Sequence, residues 1–417
     1  MAGLAVALVV VGWLLLRDVG PRASSWGGVV LARLGIAPET SVAADERASA
    51  PQASPRVAVP ADDPCGPGAA PDMPETALVK ASRRLRDDVV NALAASPDVS
   101  DQATAALLSI TPFMDDLPTS ACTDNPACLQ KWTDKQMSRE RVNTDAVVQR
   151  LAALADRSRS PYVYEMATLG CRELVKGSVA ATEACNNLSL ERWASLDPHN
   201  AVPWLALVER AQQRDDKAAV DNALYQAATA TKSGGVASEL MRRVLAQVPT
   251  NDTHRDLQAD MAARAFGVAV LDMMGSGHMT AMGLCRDEHM ADSNRRQTCH
   301  LLGARLLADS DTLLQSRLAL ALVKRTGLGS SEFTTKADEL DALDWAVRQR
   351  SGELEHPSDG QGCRATVAAV RYFGEMAQSS ELGVARRTLD DHLRRSGQTV
   401  ADVARQSRQS RDKAAAP

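Results

Sequence analysis

Wherever apolar residues recur in this chain, they do so with the period of an α-helix. The clearest case lies between Ser189 and Ala230, where Trp204, Leu207, Val208 and Ala211 stand at i, i+3, i+4 and i+7. A polar break at Arg214-Asp215-Asp216 follows, and Ala219, Val220, Ala223, Leu224 and Ala227 resume the pattern. Two short amphipathic helices with so short a connection are antiparallel neighbours. A pair with one apolar face each has to stack on further pairs to bury it.

The same period runs on either side. Leu78, Ala81, Leu85, Val89 and Leu93 form a stripe that Ser96-Pro97 ends, and Ala103, Ala106, Leu107 and Ile110 form another that Thr111-Pro112 stops. Helix continues from Trp132, and Asn143-Thr144-Asp145 offers a cap for residues 146–155. Further helices are expected over 161–174, 185–196, 236–248, 255–274, 292–308, 312–325, 331–350, 363–378 and 382–395, with Gly327 and Gly397 as C-terminal caps. No run of alternating Val, Ile, Thr and Tyr stands between turns. The expected fold class is all-α, an irregular solenoid of antiparallel helix hairpins.

The N-terminus sets a compartment. Ala2 to Leu16 is unbroken apolar sequence closed by Arg17-Asp18, somewhat shorter at about 15 residues than the roughly 20 that a bilayer core asks for. A signal-peptide core and a retained anchor both fit it. Pro21-Arg22-Ala23 is a poor cleavage site and no Cys follows to accept a lipid, which favours a signal-anchor, a transmembrane helix over residues 1–18. Residues 19–73, rich in Pro, Ala, Ser and Gly, then read as an extended linker, residues 74–397 as the helical repeat domain and residues 398–417 as a disordered basic tail.

Eight cysteines point to the same space: Cys65, Cys122, Cys128, Cys171, Cys185, Cys285, Cys299 and Cys363. Six fall in local pairs, and the 171/185 and 285/299 pairs share both their spacing and an Arg after the first Cys. At constant offset the segments 171–197 and 285–311 also share Leu, Ala and Asp, as two stapled hairpins of one type would. Repeated spacing without repeated ligands favours disulfides and an oxidising compartment such as the periplasm. Closing a loop of about 15 residues stabilises by about 3 kcal/mol in the chain-entropy model. By elimination, Cys65 pairs with Cys363.

The stretch 197–230 resembles a tetratricopeptide repeat. Asp197-Pro198-His199-Asn200 is similar to the motif's closing turn, Trp204 and Leu207 fall at its first-helix aromatic and Leu positions, and Leu224 and Ala227 match its second helix. Val208, Ala211 and Val220 depart from the pattern, and Lys232 stands where the next Pro is usual. In that family peptide ligands lie on the inner face of the first helix, which the resemblance places at Val202, Leu205, Glu209 and Gln212. None of these is Lys or Arg, so capture of a peptide's C-terminal carboxylate is not implied. More loosely, the whole chain resembles uncharacterised membrane-anchored, cysteine-paired helical proteins of proteobacteria, a likeness that carries no activity.

At 417 residues with 45% apolar content, the chain can bury a sizeable core, and 3% aromatics make that core aliphatic. A net charge of −5 gives no reason to expect nucleic acid. The basic C-terminus carries Arg386, Arg387, Arg394, Arg395, Arg405, Arg408, Arg411 and Lys413 without interleaved aromatics, and reads as a solvated face with a frayed tail. Asp338, Glu339, Asp341 and Asp344 read as solvated likewise.

One stretch holds candidate chemistry. If residues 278–290 are helical, His278, Met282, Cys285 and His289 sit at i, i+4, i+7 and i+11 on one face, a donor set suited to copper or zinc. The alternative is that the methionines fill core, Cys285 is oxidised with Cys299 and the histidines are partly exposed. There is no G-x-S-x-G elbow, no phosphate-binding glycine loop with Lys-Ser or Lys-Thr, and no Cys-x-x-Cys-His, so no catalytic group or cofactor is implied. The expectation is a single-pass inner-membrane protein, its bulk periplasmic, that binds an envelope protein or peptide on the concave side of its hairpins. Periplasmic metal binding is the alternative.

Overall fold

The computed structural model describes residue 65 and residues 75–109, 144–174, 179–249, 255–275, 278–327, 330–355 and 362–415. The expected anchor, nearly all of the linker and the Cys122/Cys128 pair lie outside these residues. Among the described residues the chain is helical throughout, with a lone bridge between Asn200 and Lys232, and no helix is long and apolar enough to cross a membrane.

The first part contains α1 (Glu75–Ala94), α2 (Val99–Leu108), α3 (144–157), α4 (Pro161–Leu174), α5 (Val179–Asn186) and α6 (Leu190–Leu196). The single helix expected over 185–196 is two, because Ser189 stops the chain in extended geometry and caps α6 through Arg192 N–H. The hairpin comes next, α7 (Ala201–Gln213) and α8 (Lys217–Thr229), followed by α9 (Ala237–Leu245), α10 (Arg255–Gly275) and α11 (His278–Leu284). After a 3-10 turn at Asp287–His289 the chain forms α12 (Ser293–Ala308), α13 (Leu313–Thr326), α14 (Ser330–Glu355), α15 (Gly362–Gln378), α16 (Glu381–Ser396) and α17 (Val400–Ala415). Both expected glycine caps, Gly327 and Gly397, adopt left-handed backbone, at φ 66° and 68°.

Backbone bonds between His199 O and the amides of Thr231 and Lys232, and from Ala201 N–H to Lys232 O, tie the start of α7 to the end of α8. That closes an antiparallel hairpin. Asp215 makes its tight turn at φ 54°. The next helix in sequence, α9, does not continue this pair; α12 does, packing along α8. Arg295 at the start of α12 binds Asp221 early in α8, and Arg305 near its end binds Thr231 O just past α8. The two helices therefore run in the same direction. From there the order α7, α8, α12, α13, α14 is one of packed neighbours.

Residues 237–275 leave this stack and build elsewhere, while α11 returns to pack on α7 and α13. Both α9 and α10 pack on α15, and α10 also meets α1 and α4. Three apolar cores result. One is formed by α1 to α4, α6, α9, α10 and α15, with Val202 and Ala206; a second by the other side of α7 with α8 and α11 to α13; a third by α14, α16 and α17.

Packing between α12 and α13 is close enough to need a glycine. A Cβ on Gly303 would lie 2.9 Å from Val323 Cγ2 and 3.0 Å from Val323 N. Gly303→Ala is expected to lose about 1–3 kcal/mol to overpacking. Gly283→Ala, where a Cβ meets nothing within 4 Å, is the control, and urea titration of both variants decides the point.

Residues 400–415 correct an expectation. They form a helix rather than a disordered tail, because Val403, Ala404 and Ser407 are fully buried against α14 and Arg408 and Arg411 meet its carboxylates. The folded region thus runs past Gly397 to the end of α17.

Candidate functional site

The four residues placed on a ligand face fare differently. Asn200 caps α7 through Val202 N–H, and Trp204 donates its indole N–H to Pro198 O, so the closing turn and the first helix are locked together. That lock turns Val202 into the first core and Leu205 into the second, both essentially inaccessible. Neither can line an open groove. Glu209 is half-buried and Gln212 is exposed. The hairpin's accessible aromatic is Tyr225 on α8, 53% exposed, which sequence reasoning did not single out.

The helical face proposed for a metal is not formed. Helix α11 ends at Leu284, the chain turns through Arg286, and Cys285 is bonded to Cys299 in the second core. His278 is buried, Met282 half-buried and His289 exposed beside Glu288. Burial pushes the His278 imidazole down to about 4, with the Arg172 charge adding to it. Among the described residues no group of three or more His, Cys, Asp or Glu side chains is placed to hold a metal ion.

All six described cysteines are paired, as Cys65–Cys363, Cys171–Cys185 and Cys285–Cys299, with Cα–Cα distances of 5.7, 5.6 and 5.8 Å. The first bridge spans 298 positions. These are the three pairings expected for the described cysteines.

Charges expected to be solvated are instead paired. Asp338, Asp341 and Asp344, at i, i+3 and i+6 on α14, meet Arg408 and Arg411 of α17, Arg317 of α13 and Arg348 of α14 itself. Arg411 spans Asp341 at 2.6 Å and Asp344 at 3.0 Å, and the side chains of the two aspartates are only 13% and 15% exposed. Two carboxylates one turn apart facing two guanidinium groups three residues apart make a bidentate clasp. The matching three-residue spacings were visible in the sequence, but their pairing across 67 positions was not. A second cluster centres on Arg243, which joins Asp98, Asp101 and Glu239 and lies over the Tyr162 ring. Every carboxylate in it faces that guanidinium, so it ties α9 to the start of α2.

Glu381, at the start of α16, is a half-buried carboxylate. Burial raises its pKa, although its carboxylate accepts a bond from Leu313 N–H at the start of α13. A carboxyl held above its unfolded value binds its proton more tightly when folded, so its contribution turns unfavourable as pH rises through the carboxylate range. Glu381→Gln keeps an acceptor for Leu313 and is expected to be the more stable protein at pH 7. The two should converge near pH 4, in denaturant titrations at both values.

Comparison with known proteins gave no match, neither to a family model nor to a curated protein nor to a solved structure.

Proposed function

We propose that this chain is a disulfide-stapled helical scaffold, held at the inner membrane by its N-terminal apolar run, whose folded part lies in the periplasm and binds an envelope protein or peptide. The observation that carries the reading is the complete pairing of the described cysteines, which fits an oxidising space and leaves none as a thiolate ligand or nucleophile. The apolar run from Ala2 to Leu16 supplies the attachment. In this reading the hairpin of α7 and α8 is a tetratricopeptide-like unit and α12 with α13 is the unit stacked on it. Because Val202 and Leu205 serve the cores, the partner meets the outward side of the stack, where Tyr225 is exposed.

Two measurements test it. Fractionation of cells with protease added to intact spheroplasts should digest the folded domain of a membrane-bound chain, and denaturing alkylation without reductant should find no free thiol. A protease-resistant cytoplasmic chain with free thiols would overturn the reading. A photo-crosslinking residue at position 225 should then give a discrete adduct that the same residue at the exposed position 386 does not.

A further inference from the structure

We infer that the Cys65–Cys363 bridge is a thiol–disulfide exchange site, opened by a dithiol reductant that attacks Cys65 and expels Cys363 as the thiolate. The other two described bridges are built as inert staples.

The asymmetry lies in what surrounds each sulfur. Arg255 Nη1 lies 3.2 Å from Cys363 Sγ and 3.9 Å from Cys65 Sγ. Cys363 is also the second residue of the 17-residue helix α15, so the unsatisfied amides of its first turn face any negative charge that develops there. A guanidinium and a helix N-terminus both favour a thiolate. In exchange the sulfur better able to carry the charge leaves, and the other sulfur is the one attacked. Cys65 and Cys363 are both partly accessible.

Neither remaining pair combines accessibility with a place at a helix N-terminus. Cys285 and Cys299 are buried in the second core, closed to a reductant. Cys171 and Cys185 are partly accessible but lie in the closing turns of α4 and α5, where carbonyl ends oppose a thiolate.

The step balances without further reagents. One thiolate of the reductant bonds to Cys65 Sγ as the S–S bond breaks, and the electron pair goes to Cys363 Sγ, which takes a proton from water. The reductant's second thiol then attacks the mixed disulfide, releasing Cys65 as a thiol and the reductant as its own disulfide. Two electrons pass from reductant to bridge. In the opened form the covalent link between residue 65 and α15 is gone, so the reductant decides whether the N-terminal segment is covalently fastened to α15.

The test uses the full chain in detergent with glutathione as the probe, quenched in acid at short times, alkylated and mapped by peptide mass. Cys65–Cys363 should open on the order of tenfold faster than Cys171–Cys185, given their leaving groups. Glutathione should be found on Cys65 and the alkyl group on Cys363. Arg255→Gln should slow this opening several-fold without moving the other bridges, and Arg255→Lys, which keeps the charge, should restore most of the rate. Glutathione on Cys363, equal rates for the two accessible bridges, or a folded Arg255→Gln protein that opens at the wild-type rate would each overturn the proposal.

Discussion

Replacing Leu205 by Ala is expected to destabilise the protein by about 3 kcal/mol, in the range for fully buried leucines. Leu205 is 0% exposed and packs among Val208, Leu224, Ala281, Cys285 and Leu302, all aliphatic or sulfur-bearing. Neighbours on fixed helices cannot collapse into the space that three lost heavy atoms would leave. Gln212→Ala, on the same helix but exposed, should change stability by less than about 0.5 kcal/mol. Denaturant titration of both variants separates the roles. A Leu205→Ala protein of wild-type stability that had lost its partner would return this residue to the ligand face on which the repeat resemblance placed it.

That misplacement has a physical cause. The period of the apolar residues marks α7 correctly, and Asn200 marks its start, because caps and periodicity are local properties. Which side meets ligand and which meets protein depends on what the rest of the chain brings up to it. Val202 and Ala206 face one core while Leu205 and Val208 face another, since α9, α10 and α15 belong to the first and α8 with α11 to α13 to the second. The pairings of Cys171 with Cys185 and of Cys285 with Cys299 were legible from spacing, and that of Cys65 with Cys363 from elimination. The exchange site was not, because Arg255 reaches Cys363 across 108 positions. The metal face requires residues 278–290 to share one helix, and the chain breaks after Leu284 instead.

Truncation after Gly397 is expected to cost about 4 kcal/mol. The removed helix buries Val403 and Ala404 completely, and a fully buried aliphatic residue contributes about 1.5–3 kcal/mol. Its loss also takes Arg408 and Arg411 from Asp338, Asp341 and Asp344, while Arg317 stays with Asp341 and Asp344 and Arg348 with Asp344. Because the pairs are partly solvated, they add less than buried ones would. Raised salt should weaken the intact protein in the same region, seen as faster hydrogen exchange in residues 400–411. A truncated chain with an unchanged urea midpoint would mean that this helix contributes nothing to the fold. The segment was unreadable in sequence because it has few apolar residues, and its docking rests on charges whose complements lie on α14.

The parallel pairing of α8 with α12 bears on how the chain reaches its native state. An array of regular repeats can assemble from one end, each unit finding its neighbour within a few dozen residues. Here the apolar side of the hairpin waits for a helix whose contacts with it span 74 positions, while α9 and α10 intervene and belong largely to other surfaces. Loop closure of that length precedes the reward from contact, which places this protein among chains of high contact order for an all-helical fold and slows its folding accordingly. During synthesis, the hairpin would stand exposed as a natural target for a chaperone until residue 308 had emerged.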